Sequence, residues 1–333
     1  MSQPSVLFIG GTGVISTACV REAMRQGREV TLLNRGETTH RSVPDAAEVL
    51  QADVRDAASV RSALGQREFD TVVSFLSFTP EHVQQDVDLF SGRAGQYVFI
   101  SSASAYQTPP ARLPVTESTP LRNPYWEYSR NKIACEDLLV REYRERAFPM
   151  TIVRPSHTYD PTLVPFDGGW TVVERMRQGR AVVVPGDGTS LWTLTHHEDF
   201  ARAFTGLLGR REALGEAFHI TSDEAPPWNE IYSAVAAAAG VEPRLVHIAS
   251  DAIAAADPDL GAGLLGDKSN SMVFDNSKVK ALVPGWSAVV PFRQGAREIV
   301  AWHDEDPARR VVDPRLDALF DQLVEAYRPR PLA

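Results

Sequence analysis

Tyr128 and Lys132 stand four residues apart in the run Tyr128-Ser129-Arg130-Asn131-Lys132. The segment from Tyr125 to about Arg146 holds neither Pro nor Gly and is rich in Glu and Arg, which predicts a helix. Residues i and i+4 share a helix face, so the phenol and the ammonium can reach one pocket. A free phenol titrates near pH ~10. A neighbouring cation favours phenolate, so the spacing predicts a lowered value for Tyr128. Such a tyrosine exchanges a proton with a substrate hydroxyl or carbonyl. Ser102, at the end of a predicted strand, completes a candidate catalytic set. Taken alone, the Tyr-Lys spacing fits an exposed helix with a solvated lysine equally well, so the elements around it must decide.

A glycine turn opens the same chain. Ser5-Val6-Leu7-Phe8-Ile9 is a short apolar run of the kind that forms a buried parallel strand. Gly10-Gly11-Thr12-Gly13 follows at once, and Val14 to Gln26 reads as a helix. Gly10 permits a tight turn, and Gly13 lets the backbone approach a diphosphate. Amides at the helix start and the helix dipole favour the negative charge. Gly10, Thr12, Gly13, Val14 and Ile15 are therefore candidate cofactor contacts. A third glycine would normally stand where this chain has Ser16.

The next strand, Glu29 to Leu33, runs into Asn34-Arg35-Gly36. An acidic side chain there would accept from a ribose 2′-hydroxyl and mark NAD(H). Arg35 instead suits a 2′-phosphate by charge and paired donors, so NADP(H) is favoured and NAD(H) stays open. Asp53 and Val54, after a further strand, are candidates for the adenine amino group and ring face. Asp53 serves equally as the cap of a helix beginning near Ala57.

With these elements in place, the chain resembles an extended, atypical short-chain dehydrogenase/reductase of the NAD-dependent epimerase/dehydratase superfamily. The resemblance rests on Gly10-x-x-Gly13, Asp53-Val54, the run Tyr97 to Tyr106, Tyr128-x-x-x-Lys132, Arg154-Pro155-Ser156-His157-Thr158-Tyr159 and Gly186-Asp187-Gly188. Asn34-Arg35-Gly36 also resembles a branch that includes chloroplast stem-loop-binding proteins. The resemblance implies that Tyr128 is the general acid or base. It implies that Lys132 binds the nicotinamide ribose and tunes the phenol, and that Ser102 bonds the reacting oxygen. Pro155 and His157 resemble positions lining the nicotinamide site, although His157 reads equally as a loop histidine. Ser74 and Ser77 end a strand where they would form a wall between cofactor and substrate.

Two departures narrow the implied substrate. Nucleotide-sugar enzymes of the superfamily commonly carry an arginine soon after the Gly-Asp-Gly turn, where it holds a diphosphate. Here Trp192 stands near that place, and an indole stacks on a ring rather than gripping phosphate. Dehydratases usually carry an acidic pair after the active-site Ser or Thr. Here Ala103-Ser104-Ala105 follows Ser102. Ser104, Ser77 and Trp192 are thus candidate substrate contacts, for a small polyhydroxylated carbonyl turned over by reduction, oxidation or epimerisation. The rival readings are a non-redox RNA-binding or RNA-processing protein on the same fold and an NADP(H)-sensing regulator.

The alternation of strands near 5–9, 29–33, 47–51, 69–74, 95–101 and 149–154 with helical patterns predicts an α/β doubly wound parallel sheet, the Rossmann arrangement. The expected division is residues 1–155 for cofactor binding and 156–333 mainly for a smaller C-terminal substrate lobe, with a segment near 193–221 returning to the first. The run 261–271 reads as either a flap near the substrate or a surface loop. His196-His197-Glu198 lacks an i, i+4 histidine pair, so no metal is expected. Thr195 and Glu198 read instead as a capping box before a helix around Phe200 to Leu208.

Net charge is −9 over 333 residues, which disfavours nucleic acid as a partner. Only two cysteines occur, and no stretch near 20 apolar residues exists to span a membrane. A cytoplasmic protein with a small-molecule substrate is expected, with a homodimer open.

Overall fold

A computed structural model describes residues 3–36, 41, 44 and 46–327. The strands are β1 (Ser5–Ile9), β2 (Glu29–Asn34), β3 (Glu48–Gln51), β4 (Phe69–Ser74), β5 (Ala94–Ile100), β6 (Met150–Pro155), β7 (His157–Tyr159), β8 (Ala181–Pro185), β9 (Leu194–His196), β10 (Ala217–Ile220) and β11 (Arg244–Ile248). The helices are α1 (Ser16–Arg25), α2 (Ala57–Leu64), α3 (Pro80–Phe90), α4 (Glu127–Arg146), α5 (Trp170–Arg177), α6 (His197–Leu207), α7 (Trp228–Ala238), α8 (Ser250–Ala256), α9 (Pro258–Gly263), α10 (Ser277–Leu282), α11 (Phe292–Asp304) and α12 (Pro314–Ala326).

Seven strands form one sheet in the order β10-β6-β5-β4-β1-β2-β3, and every pairing is parallel. Both faces are covered, so the strands are apolar on both sides rather than alternating. Within β1, Val6 and Phe8 join the core beneath α1 and α6, together with Phe200 and Phe204. Leu7 and Ile9 join the opposite core with Val83 of α3 and Leu139 of α4. The result is a doubly wound α/β sheet.

Register places the chemistry. Ile9 of β1 lies beside Leu33 of β2 and Ser74 of β4, and Ser74 beside Phe99 of β5. The carboxyl ends of these strands are therefore level. Because β2 and β4 leave β1 in opposite directions, the crevice above β1 and β4 is where such sheets accept a ligand. The glycine turn after β1 and Ser102 after β5 both open onto it.

A third core is assembled by the later elements, with Trp170, Val183, Trp228, Ile299 and Phe320 among its members. β8 and β11 pair within it, whereas β10 returns to the main sheet beside β6, with Phe218 opposite Val153. Helix α6 begins at His197, three residues before the expected start. Its cap is His196, whose Nδ1 accepts the Glu198 amide at 3.3 Å. The expected capping box at Thr195 is thus corrected: Thr195 sits within β9, paired opposite Thr158, and its hydroxyl accepts the Ser222 amide at 2.8 Å. Among the described residues no helix is long and apolar enough to cross a membrane.

Candidate active site

Helix α4 carries both residues of the proton-transfer pair. Lys132 is 1% exposed, and its ammonium donates to the carbonyl of Ser77 at 2.7 Å and that of Ile100 at 2.8 Å. Two backbone carbonyls, one at the end of β5 and one in the loop after β4, thereby fix the nitrogen, and its third proton remains for a ligand. Burial pulls Lys132 down to about 8. The ammonium stands 5.8 Å from the centre of the Tyr128 ring.

Tyr128 corrects one expectation. Its phenol is pushed up to about 12, not lowered. Burial is the main cause, the Asp267 carboxylate adds to it, and the Ser102 hydroxyl beside the phenol works in the opposite direction. At neutral pH Tyr128 is a protonated donor. Ser102 faces the same space at the head of a short 3₁₀ turn, Ala103–Ala105. Its Oγ lies 2.8 Å from Ser104 Oγ, which in turn accepts from Ser129 Oγ of α4 at 2.7 Å.

A groove of about 820 Å³ runs above the sheet. Gly10, Thr12, Gly13, Val14 and Ile15 line it, with Asn34, Arg35 and Val54 at one end and Ser102, Tyr128, Lys132 and Pro155 at the other. Gly11 has φ +111°, and a Cβ there would stand 2.9 Å from Leu32 Cδ2, so only glycine lets the turn sit this low. Ser16, in the third-glycine position, accepts the Gly13 amide through Oγ at 2.7 Å. The amides of Val14 and Ile15 are left without an internal acceptor among the described residues, and they open the N-terminus of α1. Donors at a helix start, a buried ammonium at the far end and a glycine floor fit an extended dinucleotide. Arg41, which sequence reasoning missed, also lines the groove and pairs with Asp160 at 2.8 Å.

Three expected contacts lie elsewhere. Asp53 is exposed and outside the groove lining. It accepts the Arg55 amide at 2.9 Å, while Asp56 caps α2 by accepting from Ala58 and Ser59. Ser74 and Ser77 do not form a wall. Their hydroxyls are buried on the Asp86 carboxylate at 2.9 and 2.7 Å, where Tyr97 also donates at 2.6 Å. A buried carboxylate is costly without hydrogen-bond donors, and the serines supply two of the three present here. Ser77 still reaches the site through its carbonyl on Lys132.

Ser102, Tyr128, Pro155 and Ser156 also border a second cavity of about 220 Å³. Ser104 and Trp192 line it, as expected for substrate contacts, together with Trp126, Asp267, Lys268 and Phe274. His157, expected beside the nicotinamide, lines this cavity and not the long groove. The Trp192 indole N–H points to His157 Nδ1 at 3.4 Å and its ring stacks on Trp228 at 5.5 Å. Burial pulls His157 down to about 3, with Lys268 acting in the same direction, so the imidazole is neutral. Asp267 and Lys268 belong to the run 261–271. Its glycine- and serine-rich composition hid the fact that Leu264–Lys268 forms a π-helical turn against the cavity.

Known proteins resemble this chain in sequence and fold. Residues 6–221 match the NAD dependent epimerase/dehydratase family. The chain is 28% identical over 74% of its length to the chloroplast stem-loop binding protein of 41 kDa b of Arabidopsis thaliana, and spans 66% of that relative. It is 25% identical to the 2′-dehydrokanamycin reductase of Streptomyces kanamyceticus, over 84% of this chain and 79% of that one. An epimerase structure from Methanothermobacter thermautotrophicus superposes with a TM-score of 0.77 at 16% identity, covering 93% of this chain and 94% of the other. The protein belongs to the NAD dependent epimerase/dehydratase family.

Proposed function

We propose that the protein is an NADP(H)-dependent reductase of a small polyhydroxylated carbonyl compound, a sugar-type ring without a nucleotide. The observation that carries this reading is the 220 Å³ cavity that meets the long groove at Ser102 and Tyr128. It lies below the roughly 300–1,000 Å³ of common ligand pockets, which suits one ring and not a nucleoside diphosphate as well. Trp192 supports the same conclusion, because its indole offers a stacking face and a single N–H already directed at His157.

When bound, the nicotinamide supplies or accepts the hydride. Tyr128, protonated at neutral pH, donates to the substrate oxygen as negative charge develops there, and Ser102 donates a second hydrogen bond to the same oxygen. In carbonyl reduction Tyr128 thus supplies the proton that the substrate oxygen takes up. Lys132 holds the ribose with its third N–H. Arg35, just after β2, takes the 2′-phosphate; among the described residues no acidic side chain stands at that strand end, and Asn34 Oδ1 is turned back to the Gly36 amide at 2.9 Å. The relative named as a 2′-dehydrokanamycin reductase supports reduction of a ring ketone. The stem-loop-binding relative keeps an RNA reading in view, against which the net charge of −9 counts.

A panel of keto sugars, sugar acids and nucleotide sugars, offered with NADPH and NADH and followed by both absorbance and isomer analysis, tests the proposal. NADPH oxidation with unphosphorylated keto compounds is expected. Turnover confined to nucleotide sugars, or isomerisation without net oxidation, would overturn it.

A further inference from the structure

The second cavity contains a carboxylate for which the proton-transfer set has no use. Asp267 lines it, facing Tyr128, His157 and Trp192. Its carboxyl makes no hydrogen bond or ion pair among the described residues. Lys268, the neighbouring cation in the lining, has its ammonium 3.6 Å from Asp167 and 6.0 Å from the Trp126 ring. His157 is neutral. The cavity thus holds one carboxylate that Lys268 influences electrostatically but that has no hydrogen bond or ion pair among the described residues.

This placement is built. Asn123 Nδ2 donates to Ser104 O at 2.9 Å and to Gly266 O at 2.6 Å, while its Oδ1 accepts the amides of Tyr125 and Trp126. One side chain therefore ties the Ser102 turn, the start of α4 and the turn bearing Asp267 together. Gly266 has no room for a side chain, since a Cβ there would stand 2.6 Å from Trp126 Cβ. The turn that bears Asp267 is consequently held at a set place relative to the start of α4, and the carboxylate acts on the Tyr128 phenol electrostatically.

We propose that Asp267 is the specificity-determining residue of this cavity: its carboxylate accepts a hydrogen bond from an ammonium, or more weakly a hydroxyl, on the substrate ring and turns away phosphorylated or carboxylated rings. The inference rests on the proposed function for the identity of the cavity as the substrate site. A half-buried carboxylate that accepts no hydrogen bond is costly unless a ligand donates to it. A cationic donor does so most strongly, because both members of the bond are charged. An anion in the same small space meets like charge at low dielectric. Burial also holds Asp267 up to about 6, with Lys268 acting against it and Asp167 with it. A bound cation would restore the charged form.

The test uses the full chain saturated with NADP+ and reads tryptophan fluorescence, since Trp126 and Trp192 line the cavity. Glucosamine, glucose and glucose 6-phosphate are the probes. We expect saturable quenching in the order glucosamine, glucose, glucose 6-phosphate, and a loss of at least about tenfold in glucosamine affinity in D267N, with NADP+ affinity kept. Unsubstituted protein supplies a second measurement: its preference for glucosamine over glucose should collapse as pH falls through about 6, where the carboxyl takes up its proton. Saturation by glucose 6-phosphate as tightly as by glucosamine overturns the inference, as does an unchanged order in D267N or no saturable quenching by any probe. Turnover of the substrate panel that is indifferent to D267N sinks Asp267 and leaves the reductase reading standing. The expected order of quenching without turnover on that panel does the reverse.

Discussion

The Lys132 ammonium stands 5.8 Å from the centre of the Tyr128 ring, yet its two hydrogen bonds go to the backbone carbonyls of Ser77 and Ile100. The lysine is anchored to the sheet and the phenol is left to the substrate. Burial then raises the phenol to about 12 and lowers the amine to about 8. Each residue keeps a proton at neutral pH, and each presents it to the groove.

Substitution Tyr128→Phe removes the proton donor and little else, because the ring remains to pack on Trp126 at 4.8 Å. Turnover should fall by about 10²–10⁴-fold, while the dissociation constant for NADPH changes by less than about twofold, on the ground that uniform binding is untouched. Stopped-flow turnover and fluorescence titration of the cofactor check the two halves. Unimpaired turnover would remove Tyr128 from the mechanism.

Cofactor affinity should weaken as pH rises through about 8, where Lys132 loses its charge. Stability moves the other way. The unfolded lysine titrates near ~10.4, so between about 8 and ~10.4 the unfolded chain binds more protons than the folded one, and this residue's contribution to stability rises with pH. Lys132→Met should abolish the pH limb in cofactor titrations and flatten this part of the stability profile. A limb that persists in the variant assigns it to another group.

Arg35→Ala should weaken NADP(H) by roughly tenfold or more, the scale of a charge-assisted pair, and leave NAD(H) nearly unaffected. Calorimetric titration with each cofactor separates the two. Equal losses for both would place the guanidinium away from the 2′-phosphate.

Beneath the site, Arg154 and Glu136 form a buried pair, with Arg154 Nη2 2.5 Å from Glu136 Oε2 and Ser101 Oγ also donating to Glu136. Glu136→Gln leaves the guanidinium buried without its anion. The expected loss is about 3–5 kcal/mol, read by denaturant unfolding. A change below ~1 kcal/mol would mean that Tyr106, whose ring lies 4.8 Å beneath the guanidinium, and solvent can carry that charge.

Much of the site was legible because local geometry positioned it. The i, i+4 spacing put Tyr128 and Lys132 on one face of α4, and the glycine turn after β1 needed only its neighbours to reach the groove. Ser102 and Ser104 come from one stretch and His157 and Trp192 from two others, and all four meet at the second cavity. Ser74 ends β4 as expected, while Asp53 and Ser77 lie in the loops after β3 and β4, and the side-chain directions of all three were misjudged. Three hydroxyls converge on Asp86 from β4, β5 and the loop after β4, a demand that only packing creates.

What the amino-acid order alone determined is the doubly wound sheet and the pairing of an aromatic alcohol with an amine at its carboxyl edge, since both follow from periodicity and spacing along one stretch of chain. The tertiary structure decided the protonation of that alcohol, the size of the space before it and the acid facing it. Desolvation depends on what closes over a group from other parts of the chain. In this protein it is the π-helical turn at Leu264–Lys268, 139 positions on from Tyr128 to Asp267 (267 − 128), that brings the carboxylate into the cavity.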